Sequence, residues 1–215
     1  MKSRFIINIA IFTTFLVGLS AYAADQLLIE AEGFQEKGGW VVDQQFVHEM
    51  GSSYLLAHGM GIPVANAKTT AELPSTGKYK LFVRTKNWIP GKWEAPGRFQ
   101  VIIDGKTVDT VFGTETGWKW QSGGVVEIAD KKVSIELKDL TGFEGRCDAI
   151  FLTKDEAFNP PNTLKEIKGW RDGLLGIPAE PKMSEAFDVV VVGGGLAGCG
   201  ACLAAEKQGL KVALT

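Results

Sequence analysis

The sequence has few of the residues that would mark a specialised scaffold. Its 215 residues include only 3 cysteines, too few for a fold held together by disulfides. The 2 histidines, His48 and His58, lack the spacing of metal ligands. A formal net charge of −2 argues against a nucleic-acid-binding protein, which usually has a strong basic excess. The balance of 45% hydrophobic and 22% charged residues also argues against disordered, collagen-like and polytopic membrane proteins.

Residues 1–23 have the order of parts of a secretory signal peptide. Lys2 and Arg4 precede a mostly apolar stretch from Phe5 to Leu19, and Ala21-Tyr22-Ala23 then offers small residues for cleavage. A membrane anchor is the alternative, but the apolar stretch is shorter than the roughly 20 residues of a spanning helix. We therefore expect cleavage after Ala23, an exported protein in the periplasm or outside the cell, and no membrane span afterwards.

Residues 25–155 alternate between apolar and polar side chains, which predicts β-strands rather than helices. The stretch Lys78 to Lys86 shows this clearly, because alternate side chains from Tyr79 to Thr85 would share one face. Asp104-Gly105 lies between two apolar stretches and predicts a tight hairpin turn. Turns rich in glycine and proline separate several such stretches. The predicted fold class is therefore mainly β, an antiparallel jelly-roll sandwich.

One loop of this domain contains candidate binding residues. Trp88 and Trp93 lie among prolines and glycines, and Arg98 follows them. Loops at sandwich edges often contain binding sites, and a flat aromatic ring can stack on the apolar face of a sugar. The alternative is that these rings seal an edge of the core. We retain Trp88, Trp93 and Arg98 as candidates for carbohydrate binding.

Residues 156–186 are predicted to be a linker with a short helix. Asn159-Pro160-Pro161 cannot continue the interior of a strand. Thr163 to Glu166 then has the form of a capping box, which marks the start of a helix.

Residues 187–215 have the order strand, glycine-rich turn, helix, strand. Val189 to Val192 predict a strand of a parallel sheet, and the turn that follows is Gly193-Gly194-Gly195-Leu196-Ala197-Gly198. In such a turn the first glycine makes the bend, the second lets the backbone approach a pyrophosphate, and the third lets the helix pack closely. This context predicts dinucleotide binding at residues 193–198 and the start of an α/β Rossmann-type domain.

Several stretches together resemble one family of proteins. They are Glu30-Ala31-Glu32-Gly33-Phe34, Gly38-Gly39-Trp40, Trp93 to Phe99, and Asp188 to Gly198. Their order resembles a family of exported FAD-dependent oxidoreductases from polysaccharide-degrading bacteria. The resemblance implies FAD rather than NAD as the cofactor, and a carbohydrate or sugar-derived molecule as the substrate.

The first and last strands of the β-rich domain resemble those of galactose-binding-like jelly rolls. The stretches are Leu28 to Glu32 and Cys147 to Leu152. Carbohydrate-binding modules of that group often hold a structural calcium ion between acids in these strands. The resemblance implies Glu30, Glu32 and Asp148 as candidate Ca²⁺ ligands, and carboxylate oxygens suit that ion.

The expected ribose-binding acid would fall just after Thr215. We therefore expect these residues to be the N-terminal piece of a longer flavoenzyme whose catalytic residues follow Thr215. The piece alone should be inactive and should not hold FAD stably. The alternative is a secreted carbohydrate-binding module with a nonfunctional, truncated nucleotide-binding tail.

Overall fold

The computed structural model describes residues 25–89, 91, 93–178, 180 and 185–215. The predicted signal peptide, residues 1–23, lies outside the described residues. The chain divides into two compact units, of which the first ends at Leu175 and the second begins at Gly176.

The first unit contains two antiparallel sheets. One is built from β1 (Gln26–Glu30), β2 (Trp40–Asp43), β3 (Tyr54–His58), β5 (Gly77–Thr85), β8 (Lys119–Ile128) and β10 (Phe143–Thr153). Its strand order is β2-β3-β10-β5-β8, and β1 also pairs with β10. The other sheet is built from β4 (Ala67–Glu72), β6 (Phe99–Ile103), β7 (Lys106–Thr107) and β9 (Lys132–Asp139), in the order β4-β9-β6-β7. The predicted fold class, an antiparallel β-sandwich followed by a small α/β segment, is confirmed.

The inner faces of the two sheets meet in one apolar core. The predicted core face of β5 is confirmed, because Tyr79, Leu81 and Val83 are at most 1% exposed and pack in this core. The strand is not half-buried as predicted, since Phe82 and Arg84 on its other face are also buried. Residues of the opposite sheet, such as Val101 on β6 and Ile135 on β9, complete the core. Two layers of strands that bury one face each against the other explain the strict period of two.

The predicted turn at Asp104-Gly105 is also present. Both residues have positive φ angles, 46° and 75°, and they join β6 to β7. The returning strand β7 ends at Thr107, and Phe112 forms an isolated bridge with Phe99. Between them, the side-chain amide of Gln100 donates to the carbonyl oxygen of Val108 at 3.1 Å.

Two helices lie on the outer face of the six-stranded sheet. α1 (Val47–Met50) contributes Met50 to a small cluster with the outward side chains of β3. α2 (Leu164–Leu174) begins at Thr163, whose hydroxyl group donates to the Glu166 carboxylate at 2.6 Å. The helix buries Ile167 fully. The segment predicted as a linker therefore includes a helix that packs within the first unit.

The second unit contains two parallel strands joined by a helix. They are β11 (Val189–Val191), α3 (Leu196–Lys207) and β12 (Val212–Leu214), with Val190 paired to Ala213. The carboxylate of Asp188 accepts a hydrogen bond from the backbone of Lys211 at 2.8 Å. Among the described residues of the whole chain, no helix is long and apolar enough to cross a membrane.

Candidate functional site

The glycine-rich turn joins β11 to α3. Gly193 has a φ of +104°, a conformation that side-chain-bearing residues rarely adopt. A Cβ atom at Gly198 would lie 1.9 Å from the carbonyl oxygen of Gly193, so only glycine allows α3 to begin this close to the end of β11. These two glycines are therefore required by the local backbone geometry itself.

The other side of the turn is open. Added Cβ atoms at Gly194 or Gly195 would meet no heavy atom within 4 Å in the described part of the chain. Leu196 and Ala197, the first residues of α3, are exposed. Because the first backbone N–H groups of a helix have no partner within the helix, they point into this open space with the positive end of the helix dipole. The shape and the donors suit the pyrophosphate of a dinucleotide.

The three acids expected to hold calcium come together in the first unit. Glu30 ends β1, Glu32 lies in a short 3₁₀-helix (Ala31–Gly33), and Asp148 lies within β10. One carboxylate oxygen from each lies within 4.8 Å of the other two. Sequence reasoning thus identified three groups that are neighbours in space, although 118 positions separate Glu30 from Asp148.

A fourth side chain, Arg171 of α2, binds two members of this group. Its Nε atom donates to Glu30 Oε1 at 2.9 Å, and a second guanidinium nitrogen contacts the other oxygen of the same carboxylate. The guanidinium also donates to Asp148 Oδ2 at 3.1 Å. Arg171 is 5% exposed. It was not predicted, because nothing in its local sequence distinguishes it from a surface arginine of a short helix.

Asp148 has further partners and is completely buried. Its carboxylate accepts hydrogen bonds from Arg84 at 2.9 Å and from the hydroxyl group of Ser52 at 2.9 Å. Arg84 was predicted to lie on the polar face of β5, yet it is 1% exposed. Since two guanidinium groups already saturate Asp148 and one of them saturates Glu30, the residues as arranged do not fit a calcium ion.

Glu32 is the member of the group that Arg171 does not contact directly. Its Oε2 atom is buried and has no hydrogen-bond partner among the described residues. Burial raises the pKa of this carboxyl group to about 7, and the nearby charges of Glu30 and Asp148 act in the same direction. A proton on Glu32 therefore relieves the excess negative charge of the cluster near neutral pH.

The three candidate sugar-binding residues have different surroundings. The indole of Trp88 is part-buried; it donates to the Phe143 carbonyl at 3.2 Å and lies under the Arg146 guanidinium. Trp93 is 77% exposed. Arg98 pairs with Glu94, four residues earlier. Trp93 is therefore the candidate that offers an open aromatic ring, whereas Trp88 is part-buried beside Phe143 and Arg146.

Comparison with known proteins gives one family match and a set of similar structures. Residues 188–215 match the family model described as glucose inhibited division protein A. No curated protein sequence matches the chain.

Among solved structures, a family 35 carbohydrate-binding module from Clostridium thermocellum has 16% identity and a TM-score of 0.48, covering 60% of this chain and 98% of its own. A mannanase from Podospora anserina that carries such a module has 18% identity and a TM-score of 0.48, covering 89% of this chain and 42% of its own. The C-terminal family 6 module of a Zobellia galactanivorans laminarinase has 18% identity and a TM-score of 0.45, and the match covers 60% of this chain and 100% of that module. Likeness at this level supports no conclusion about function.

Proposed function

We propose that the chain is the N-terminal part of an exported, FAD-dependent oxidoreductase that acts on a carbohydrate-derived substrate. The observation that carries the proposal is the turn at residues 193–198. It combines a Gly193 with a positive φ angle, a tightly packed Gly198 and an open Gly195 at the head of a helix between two parallel strands. The family match covers the same segment, residues 188–215.

Each part of this turn has a role in holding a dinucleotide. The backbone N–H groups at the start of α3 would donate to the pyrophosphate oxygens, and the helix dipole would favour the negative charge. The missing side chain of Gly195 leaves the space that the phosphates need. FAD rather than NAD follows from the resemblance of the whole order of parts, and the bound flavin would supply the redox chemistry.

The proposal is tested by adding one side chain in the open part of the turn. Gly195→Val in the intact protein, expressed at full length, should abolish flavin retention, because the added side chain would occupy the pyrophosphate space. The flavin content is measured as the visible absorbance of the cofactor released on denaturation, relative to protein.

Gly200→Val is the matched control for this experiment. Gly200 lies in the same helix, and an added Cβ atom there also meets nothing within 4 Å in the described part of the chain. This variant should keep its flavin. Equal flavin content in the wild type and in Gly195→Val would refute the assignment. An intact wild-type protein that contains no flavin would favour the alternative, a secreted carbohydrate-binding module with a nonfunctional tail.

A second candidate function, glycan binding by the sandwich, is favoured by the exposure of Trp93. An indole that is 77% exposed in a glycine-containing loop offers a stacking surface, and the Arg98–Glu94 pair close to it in sequence offers groups for sugar hydroxyls. The sandwich would then be the accessory domain that holds the enzyme on its polysaccharide.

Affinity electrophoresis in gels containing soluble mannan, xylan or β-glucan tests this role. Trp93→Ala should remove the retardation that the wild-type chain shows in one of these gels. Val125→Ala is the control, because Val125 is also well exposed, at 62%, but lies on β8. Migration of the wild type that no polysaccharide alters, or retardation that persists in Trp93→Ala, would refute the role of Trp93.

A further inference from the structure

We infer that the guanidinium of Arg171 is the resident cation of the acidic cluster formed by Glu30, Glu32 and Asp148, and that it holds α2 on the sandwich without a divalent metal ion. All four residues lie in the first unit, so this assignment does not depend on flavin binding by the second unit.

The geometry around Arg171 is that of a completed binding site. One edge of the guanidinium fork faces both oxygens of Glu30, and the fork also donates to Asp148 at 3.1 Å. Paired hydrogen bonds between a planar guanidinium and a carboxylate are among the strongest polar contacts in proteins. A calcium ion between the same oxygens would have to displace this group first.

The charges of the cluster are already nearly balanced. Arg84 and Arg171 carry two positive charges that match those of Asp148 and Glu30. Only Glu32 is left, and its carboxyl group is not in an ion pair among the described residues. A divalent ion would therefore enter beside two guanidinium groups, where repulsion would oppose its binding.

Apolar contacts of neighbouring residues on α2 hold Arg171 over the acids. Trp170 of α2 lies edge-on against Phe151, with ring centroids 4.9 Å apart, and against Trp120 at 5.8 Å. Ile167 is completely buried on the same side of the helix. These contacts hold the backbone of α2 in place, so an ion could displace the guanidinium only by turning a side chain that is 5% exposed out of its buried position.

The first experiment uses the wild-type chain. Its thermal unfolding midpoint should be the same in excess CaCl₂ and in excess EDTA, and isothermal titration with Ca²⁺ should give no saturable heat. A calcium-dependent rise of the midpoint together with binding of one equivalent would overturn the inference.

The second experiment removes the internal cation. Arg171→Met keeps the length and the apolar stem of the side chain but leaves Glu30 and Asp148 facing an uncharged group. Loss of one partner of a buried ion pair should lower the midpoint by on the order of 10 °C. Arg171→Lys keeps the charge but not the planar fork, so its unfolding midpoint should lie between those of Arg171→Met and the wild type.

Lys168→Met is the matched control on the same helix. Lys168 is exposed and, among the described residues, pairs only with Asp172, one turn along α2. Its loss should therefore leave the midpoint within about 1 °C of the wild type. An equal midpoint for Arg171→Met and Lys168→Met would overturn the role of Arg171.

Hydrogen exchange on the wild-type chain covers the case in which Arg171→Met does not fold. The backbone amides of α2 should be protected to a degree comparable with those of β10, because α2 opens only when its contacts with the sheet break. Exchange of the α2 amides at the rate of an unfolded peptide would contradict a helix that is held on the sandwich.

Discussion

The carboxyl group of Glu32 provides a sharp test of the electrostatics under α2. Glu32→Gln should raise the free energy of unfolding above about pH 8 and change it little near pH 5. Burial raises the pKa of this group, the nearby charges of Glu30 and Asp148 raise it further, and Arg171 on α2 lowers it only in part. Glutamine has a similar shape but no charge at any pH, so it removes the cost of burying an ionised carboxylate.

The magnitude follows from the two pKa values. The pKa of the carboxyl group is 4.5 in the unfolded chain and about 7 in the folded chain. Between these two pH values the native state holds a proton that the unfolded state lacks. The free energy of unfolding therefore falls as the pH rises through this window. The full difference corresponds to about 3.4 kcal/mol. Because the side chain is only part-buried, solvent screening reduces our expectation to about 1–2 kcal/mol.

Urea unfolding of the wild type and the variant at about pH 5 and about pH 8.5, with EDTA present throughout, measures this effect. Glu36→Gln is the control, because it removes a carboxylate at an exposed position a few residues further along the chain. It should change the free energy of unfolding by less than about 0.5 kcal/mol at both pH values. A Glu32→Gln variant that is less stable than the wild type at alkaline pH, or equally stabilised at both, would refute the reasoning.

Two further predictions concern packing. Leu152→Ala removes a fully buried side chain from the core between the sheets and should lower the free energy of unfolding by about 2–5 kcal/mol. Val125→Ala, at an exposed position of β8, should change it by less than about 0.5 kcal/mol. Equal urea midpoints for the two variants would contradict the core assignment. Gly198→Ala should expose the backbone amides of α3 to faster hydrogen exchange, because its Cβ atom would lie 1.9 Å from the Gly193 carbonyl oxygen. Gly200→Ala, which adds the same methyl group in open space, should slow that exchange by favouring the helix; faster exchange in both variants would argue against the close approach.

The features that could be predicted from the sequence are those set by local rules. Alternation along β5 identified its core face, because a strand half-buried in a sandwich must place every second side chain inside. The positive φ angle of Gly193 and the close contact at Gly198 lie within one turn of chain, so spacing alone indicated both. The acids Glu30 and Asp148 were brought together by resemblance of the first and last strands, which pair as neighbours in the sheet.

The covered outer face of the six-stranded sheet could not be predicted in this way. Alternation along β5 places Phe82 and Arg84 on the face opposite Tyr79, Leu81 and Val83, yet they are 6% and 1% exposed. The cause is α2, whose contact between Arg171 and Glu30 spans 141 positions of sequence. No local pattern in either segment records that contact. A periodic strand shows which of its faces is more apolar, and it does not show whether a distant helix covers the other.

The polar cluster and the apolar contacts under α2 have different consequences for how the helix sits on the sheet. Aromatic packing around Trp170 buries apolar surface of α2, yet apolar surfaces tolerate small shifts of a helix along a sheet. The ion pairs tolerate no such shift, because moving α2 by one turn would leave Glu30 without its cation and Asp148 with Arg84 alone. An unbalanced buried charge costs several kcal/mol. We therefore expect the aromatic contacts to supply the affinity of α2 for the sheet, and Arg171 to fix its register.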